Sequence, residues 1–314
     1  MPYTPKKQVF NASINTVELG VGEKAVTLGG TNTLPLYSFD APLANAPKIG
    51  VEISDMALEE YTQAGLKSFY EGCTTIPEMA KKAQEIPGAS FIVLGFDSAD
   101  PNGKNTPVED CVALAKAVAD AIDMPLVVTG CKNVEKDAEI FNKVSEALTG
   151  KNILVLSAKE ENYKTVGASA ALAYNQKVGA ESAVDINLAK QLNTIMMQLG
   201  IKGESIVMQA GSAAAGYGYE YVVSTLDRIK AAALNAADTQ LQMPIMTPVS
   251  SETWGVKEST LPESEAPEWG DAENRGIKME IATASACLAC GSDAVIMRHP
   301  ASIEAIAKMI SALA

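Results

Sequence analysis

One histidine, His299, stands in 314 residues, and cysteine occurs five times. A single histidine excludes an HExxH metal helix and any zinc site built on two histidines. Five cysteines with one close pair, Cys287 and Cys290, are too few and too scattered for a four-cysteine iron–sulfur site of the usual spacing. Basic residues are also short, 25 against 38 acidic for a net charge of −13. That balance argues against a nucleic-acid partner, which needs a basic face. No run reaches the roughly 18–20 apolar residues that span a bilayer, and residues 1–8 lack the apolar stretch of a signal peptide. An odd cysteine count without an export signal suits a reducing cytoplasm. With 47% apolar and 20% charged residues the chain can bury a large core, so disorder is excluded as the main state.

Short apolar, β-branched runs recur at 49–54, 91–96, 126–129, 153–157, 180–184, 206–209, 244–248 and 294–298, with helical patterns between them. The fifth is the weakest, because Glu181 and Ser182 interrupt it. Alternating buried strands and amphipathic helices pair in parallel through right-handed crossovers. Thr75-Ile76-Pro77-Glu78 and Thr106-Pro107-Val108-Glu109 read as capping boxes with proline in the first helical turn. Eight such units predict a (β/α)8 TIM barrel, with a doubly wound sheet as the alternative. The GxGxxG of the latter is missing, since 49–54 runs into Asp55-Met56-Ala57. One barrel domain is expected over 1–314, with 1–48 as an extension and 49–314 as the barrel. Val17, Leu19, Val21, Val26 and Leu28 suggest a small hairpin that plugs its bottom.

In such a barrel, function gathers at the C-terminal strand ends. Those ends hold Asp55, Asp97, Cys131, Ser157, Lys159, Asp185, Asn187, Gln209, Thr247, Arg298 and His299. Helices begin near Asp55, Asp185 and Asn187, so a helix cap is the plain role for these three; as a set, the strand-end residues suit a polar ligand. Gly211, after the sixth strand, opens a small-residue stretch where a ligand can approach the backbone. Cys287 and Cys290 sit at the end of a helical pattern, where thiolates are not favoured, and read as packing. A lone histidine is usually structural, and His299 lacks the DxHxxG context of a cobalt ligand. Residues 248–276 form a long connection with both tryptophans, Trp254 and Trp269, and seven acids against two bases, a net of −5. Disorder accounts for the acid but not for the tryptophans, so a docking or capping loop is expected.

Four segments then carry a resemblance: IGVEISD at 49–55, DINLAKQLN at 185–193, GYGYEY at 216–221 and MRHP at 297–300. In order and spacing they resemble the small subunit of the corrinoid iron–sulfur protein, the delta-subunit family of the CO dehydrogenase/acetyl-CoA synthase system. The resemblance runs from about Val9 to the end of the chain. It implies a barrel without a redox centre or catalytic residues of its own. A large subunit would carry the [4Fe–4S] cluster and most of the cobamide surface, with the corrinoid between the two chains. It implies methyl transfer from a methyltetrahydrofolate methyltransferase to acetyl-CoA synthase, in the reductive acetyl-CoA pathway of anaerobes. The expected corrinoid contacts are Asp55, Asp97, Asp185, Asn187, Gln209, Gly211, Thr247, Arg298 and His299. The barrel is also similar to pterin-dependent methyltransferases, with Asp97, Asp185 and Asn187 as the nearest pterin-contacting equivalents. A stand-alone enzyme of that type is the alternative.

Overall fold

The computed structural model describes residues 6–314; residues 1–5, part of the start read above as lacking an apolar run, lie outside the described residues. Eight parallel strands form the sheet: β3 Lys48–Ser54, β4 Ala89–Gly95, β5 Leu126–Thr129, β6 Leu154–Ala158, β7 Lys177–Glu181, β8 Ile206–Gln209, β9 Met246–Pro248 and β10 Ala294–Met297. Their order is β8-β7-β6-β5-β4-β3-β10-β9, and a bridge between Met208 and Ile245 joins the two ends into a barrel. The eight expected strands are all present. The fifth lies three residues earlier than its reading, at 177–181, and the backbone then turns through Val184 at φ 48°.

Alternation along the strands splits the core in two. One face packs on helices such as Val108–Ala121, Val134–Ala147, Ile186–Gln198 and Pro300–Leu313. The other fills the barrel with Phe91, Val93, Val127, Leu154, Leu156, Val207, Met246, Ala294 and Ile296. Gly50 lies on this inner face because Phe91 takes its space: a Cβ there would stand 2.1 Å from the ring. The hairpin of β1 Thr16–Leu19 and β2 Val26–Gly29 is antiparallel, and its Val17, Leu19 and Leu28 join the barrel interior. It closes the bottom, as its apolar pattern suggests.

The Thr75 box forms on both sides: its hydroxyl accepts from Glu78 N at 3.3 Å, and Glu78 accepts from Thr75 N at 3.0 Å. The Thr106 box does not form. Extended Pro107 is the N-cap of Val108–Ala121, which leaves Thr106 one residue outside the helix, its N–H donated to Ser98 O. Cys287 and Cys290 lie in the last turn of Ala272–Cys290, before Gly291 at φ 135°, and burial pushes the Cys287 thiol up to about 12.

Candidate functional site

Above the apolar layers, the last inward positions of the strands become polar. On β3 the inner face runs Gly50, Glu52, Ser54; on β7 it ends at Glu181 and on β8 at Gln209. Of these, Glu52, Glu181 and Gln209, with Asp97, Thr129, Ser157, Lys159, Gly211 and Ser212, line a cavity of about 350 Å3 at the C-terminal mouth. The mouth is where barrel geometry places a site.

Two walls are prearranged. On one, Ser54 Oγ donates to Asp97 Oδ2 at 2.6 Å. Behind it, Arg298 pairs with Glu52 at 2.8 Å and lies over the Tyr61 ring, 5.3 Å from its centre. On the other wall, Ser157 Oγ lies 2.6 Å from both Glu181 Oε2 and Gln209 Oε1. One hydroxyl proton serves one acceptor, so Ser157 donates to Glu181 while Gln209 turns its amide NH2 to the Ser157 oxygen. Lys159 Nζ lies 3.3 Å from Glu181 Oε1. Gly211, at φ 90°, lets the loop after β8 approach Val184; a Cβ there would meet the Val184 side chain at 2.7 Å.

Of the expected contacts, Asp97, Gln209 and Gly211 line the cavity, and Arg298 reaches it through Glu52. Asp55 stands beside it as a brace: both its oxygens accept from Ser98, and burial raises its pKa. Asp185 caps Ile186–Gln198, accepting from Asn187 N at 2.7 Å and Leu188 N at 3.2 Å, so the carboxylate is held by the helix start. Asn187 is exposed on that first turn, outside the cavity lining. Thr247 points away from the mouth: β9 turns Met246 and Pro248 inward, and Thr247 is fully buried against Ser292 Oγ at 2.6 Å. Cys131 is buried; its thiol donates to Asp137, and burial pushes it up to about 12, so it holds no thiolate for a ligand at neutral pH.

His299 is a structural residue. Its Nδ1 accepts from Ala301 N at 3.2 Å, which puts the proton on Nε2, and Nε2 donates to Glu273 Oε1 at 2.9 Å. The buried Glu280 accepts the N–H groups of Arg298 and His299, at 2.7 and 3.3 Å, while burial raises its pKa. The 248–276 connection is ordered by these contacts. Trp254 is buried and stacks on His299, whereas Trp269 stays 39% exposed beside Arg275 and Lys257. Tyr217 OH donates to Glu258 at 2.5 Å, tying the loop after β8 to this connection. Exposed Leu58, Tyr217, Tyr221 and Trp269 all lie in segments that follow C-terminal strand ends. Glu52 is not among the expected contacts because it lies inside a strand, and Glu181 because it reads as an interruption of the fifth strand when it is in fact that strand's C-terminal end. Among the described residues no group of three His, Cys, Asp or Glu side chains is arranged to hold a metal ion, and no helix is long and apolar enough to cross a membrane.

A family model described as "CO dehydrogenase/acetyl-CoA synthase delta subunit" matches residues 16–309. The chain belongs to this delta-subunit family. It is 32% identical over 294 residues to the acetyl-CoA decarbonylase/synthase complex subunit delta 1 of Methanosarcina thermophila, across 92% of this chain and 66% of that protein. The chain therefore spans a little under two thirds of that relative's length. It is 31% identical to the delta subunit of Archaeoglobus fulgidus, across 99% of this chain and 71% of that protein. In structure it is similar to the dihydropteroate synthase of Xanthomonas albilineans, with TM-score 0.59 at 14% identity, covering 95% of this chain and 98% of that one. The Thermus thermophilus dihydropteroate synthase superposes with TM-score 0.54 at 13% identity, covering 96% and 99%. At such identities the likeness concerns the TIM-barrel fold, and it agrees with the barrel expected from the strand and helix alternation.

Proposed function

We propose that the chain is the barrel subunit of a corrinoid methyl carrier, seated over one face of a corrinoid held mainly by a large, cluster-bearing subunit. Family membership supports the setting. The observation that carries the reading is the mouth itself: a cavity of about 350 Å3 that mixes charged side chains with apolar Val93, Leu156 and Ile296, with exposed Leu58, Tyr217, Tyr221 and Trp269 on the segments that follow the strand ends. Exposed apolar groups on the loops at that end of the barrel suit a surface that becomes covered.

The donor set fits a corrinoid as a cover, not as a container. A corrin ring with its side chains is larger than this cavity, so the chain would meet one face and leave the rest to the partner. Gln209, Lys159 and Glu181 offer donors and acceptors to the amide groups at the ring's edge. When bound, the corrinoid supplies a cobalt centre that accepts and gives up a methyl group. The chain's own residues orient the ring edge through the Ser157–Glu181–Gln209 cluster and exclude water from the covered face. Methyl exchange with a methyltetrahydrofolate methyltransferase and with acetyl-CoA synthase completes the reading, with the protein in the cytoplasm of an anaerobe.

A stand-alone pterin-dependent enzyme is the second reading. Asp97 favours it: the side chain lines a pocket of suitable size in a barrel similar to that of dihydropteroate synthases. Co-expression with the large subunit separates the two. A coloured heterodimer on gel filtration, with no calorimetric heat from a tetrahydrofolate on the lone chain, is expected. A colourless homo-oligomer that binds the folate at micromolar concentration would overturn the corrinoid reading.

A further inference from the structure

We infer that the mouth cavity reads the amide groups at the edge of the corrinoid, with Asp97 and Glu181 rejecting a ring that carries a carboxylate in an amide's place. This rests on the corrinoid reading above and goes beyond it to a specificity.

The cavity wall carries Glu52, Asp97, Asp137, Glu181 and Glu252 against Lys132 and Lys159. Three of these charges are paired. Glu52 is tied to Arg298, Asp137 accepts from the Cys131 backbone and thiol, and Lys159 lies against Glu181. Asp97 and Glu181 each have one carboxylate oxygen fixed by a serine hydroxyl, Ser54 and Ser157. The other oxygen of Asp97 has no hydrogen-bond donor among the described residues, and that of Glu181 has only Lys159 at 3.3 Å.

Such a wall has a definite preference. A primary amide brings N–H donors to the open oxygen of Asp97, or to Glu181 beside Lys159, and a carbonyl that can accept from a lysine ammonium of the lining. A carboxylate brings no donor and meets like charge, and covering the mouth strengthens that repulsion by lowering the local dielectric. The same wall disfavours anionic ligands generally. That is a reason for the methyl donor to meet the corrinoid on another protein, not inside this barrel.

The test uses the reconstituted heterodimer, dialysed to equilibrium against cobinamide or against cobinamide with one side-chain amide hydrolysed to the acid, with bound corrinoid read by absorbance. The wild type should retain the amide form about tenfold more strongly, and Asp97→Asn with Glu181→Gln should bring the ratio below about threefold. Asn and Gln keep a carbonyl oxygen for Ser54 and Ser157, and an unchanged melting temperature confirms that the double variant is folded. Equal retention of both corrinoids by the wild type would overturn the inference. So would an unchanged preference in the double variant, or the same preference in the large subunit alone. A wild-type heterodimer that retains neither corrinoid would overturn the underlying reading itself.

Discussion

The indole of Trp254 stacks on the imidazole of His299, centroids 5.7 Å apart at 25°, and this contact fastens the acidic 248–276 connection to the end of β10. Glu273 completes the latch: one oxygen accepts from both His299 Nε2 and Gly65 N, the latter at 2.7 Å. The loop's two tryptophans thus differ, Trp254 being an internal anchor and Trp269 an exposed ring beside Lys257 and Arg275. His299→Ala removes a cap, a hydrogen bond and the stack, and should cost about 1–3 kcal/mol in urea unfolding. Limited proteolysis should then cut first within 255–270; an unchanged cleavage pattern would show that the latch does not order the segment.

Lys230 and Asp293 form a buried ion pair at 2.6 Å, and Asp293 also accepts from Ile245 N at 2.7 Å, joining the starts of β9 and β10. Removing one partner leaves a charge buried without compensation. Lys230→Met and Asp293→Ala should each destabilise by about 3–5 kcal/mol. The double variant should cost clearly less than the two together, as read by a double-mutant cycle of urea unfolding.

Gly50→Ala should be costly despite its single added methyl, because the Phe91 ring occupies that space. A loss of about 1–3 kcal/mol is expected, partly recovered when Phe91→Leu is added. If the second change worsens the loss, the two residues are not coupled in this way.

Much of the barrel was legible because parallel strands buried on both faces read as apolar, β-branched runs. β7 was misplaced by three residues because Val178-Gly179-Ala180 lacks that signature; Gly179 is small because Leu156 and Ser157 crowd it. The same double burial hid half of the site. Nothing in a run such as IGVEIS says which alternate residues face inward, so Glu52 is not singled out by sequence, while Thr247 is expected at the mouth and instead packs on Ser292 outside the barrel interior. Asp185 shows the opposite case: the residue type that suits a ligand also suits a helix start, and here the helix holds it.

Glu280 is fully buried, and burial raises its pKa above the ordinary 4.5. The folded state therefore holds this proton more tightly than the unfolded chain does. Its contribution to stability is present below pH 4.5 and is lost as pH rises through the folded value. Glu280→Gln should flatten the fall in stability from pH 4.5 upward, measured by urea unfolding at several pH values. A slope identical to wild type would show that Glu280 titrates alike in both states.

If the mouth is the covered face, hydrogen–deuterium exchange on the lone chain and on the heterodimer will show it. The account predicts added protection at 209–221 and 251–270 in the heterodimer, with the outer helix Val134–Ala147 unchanged. Protection confined to the outer helices, with the mouth exchanging as in the lone chain, would contradict it.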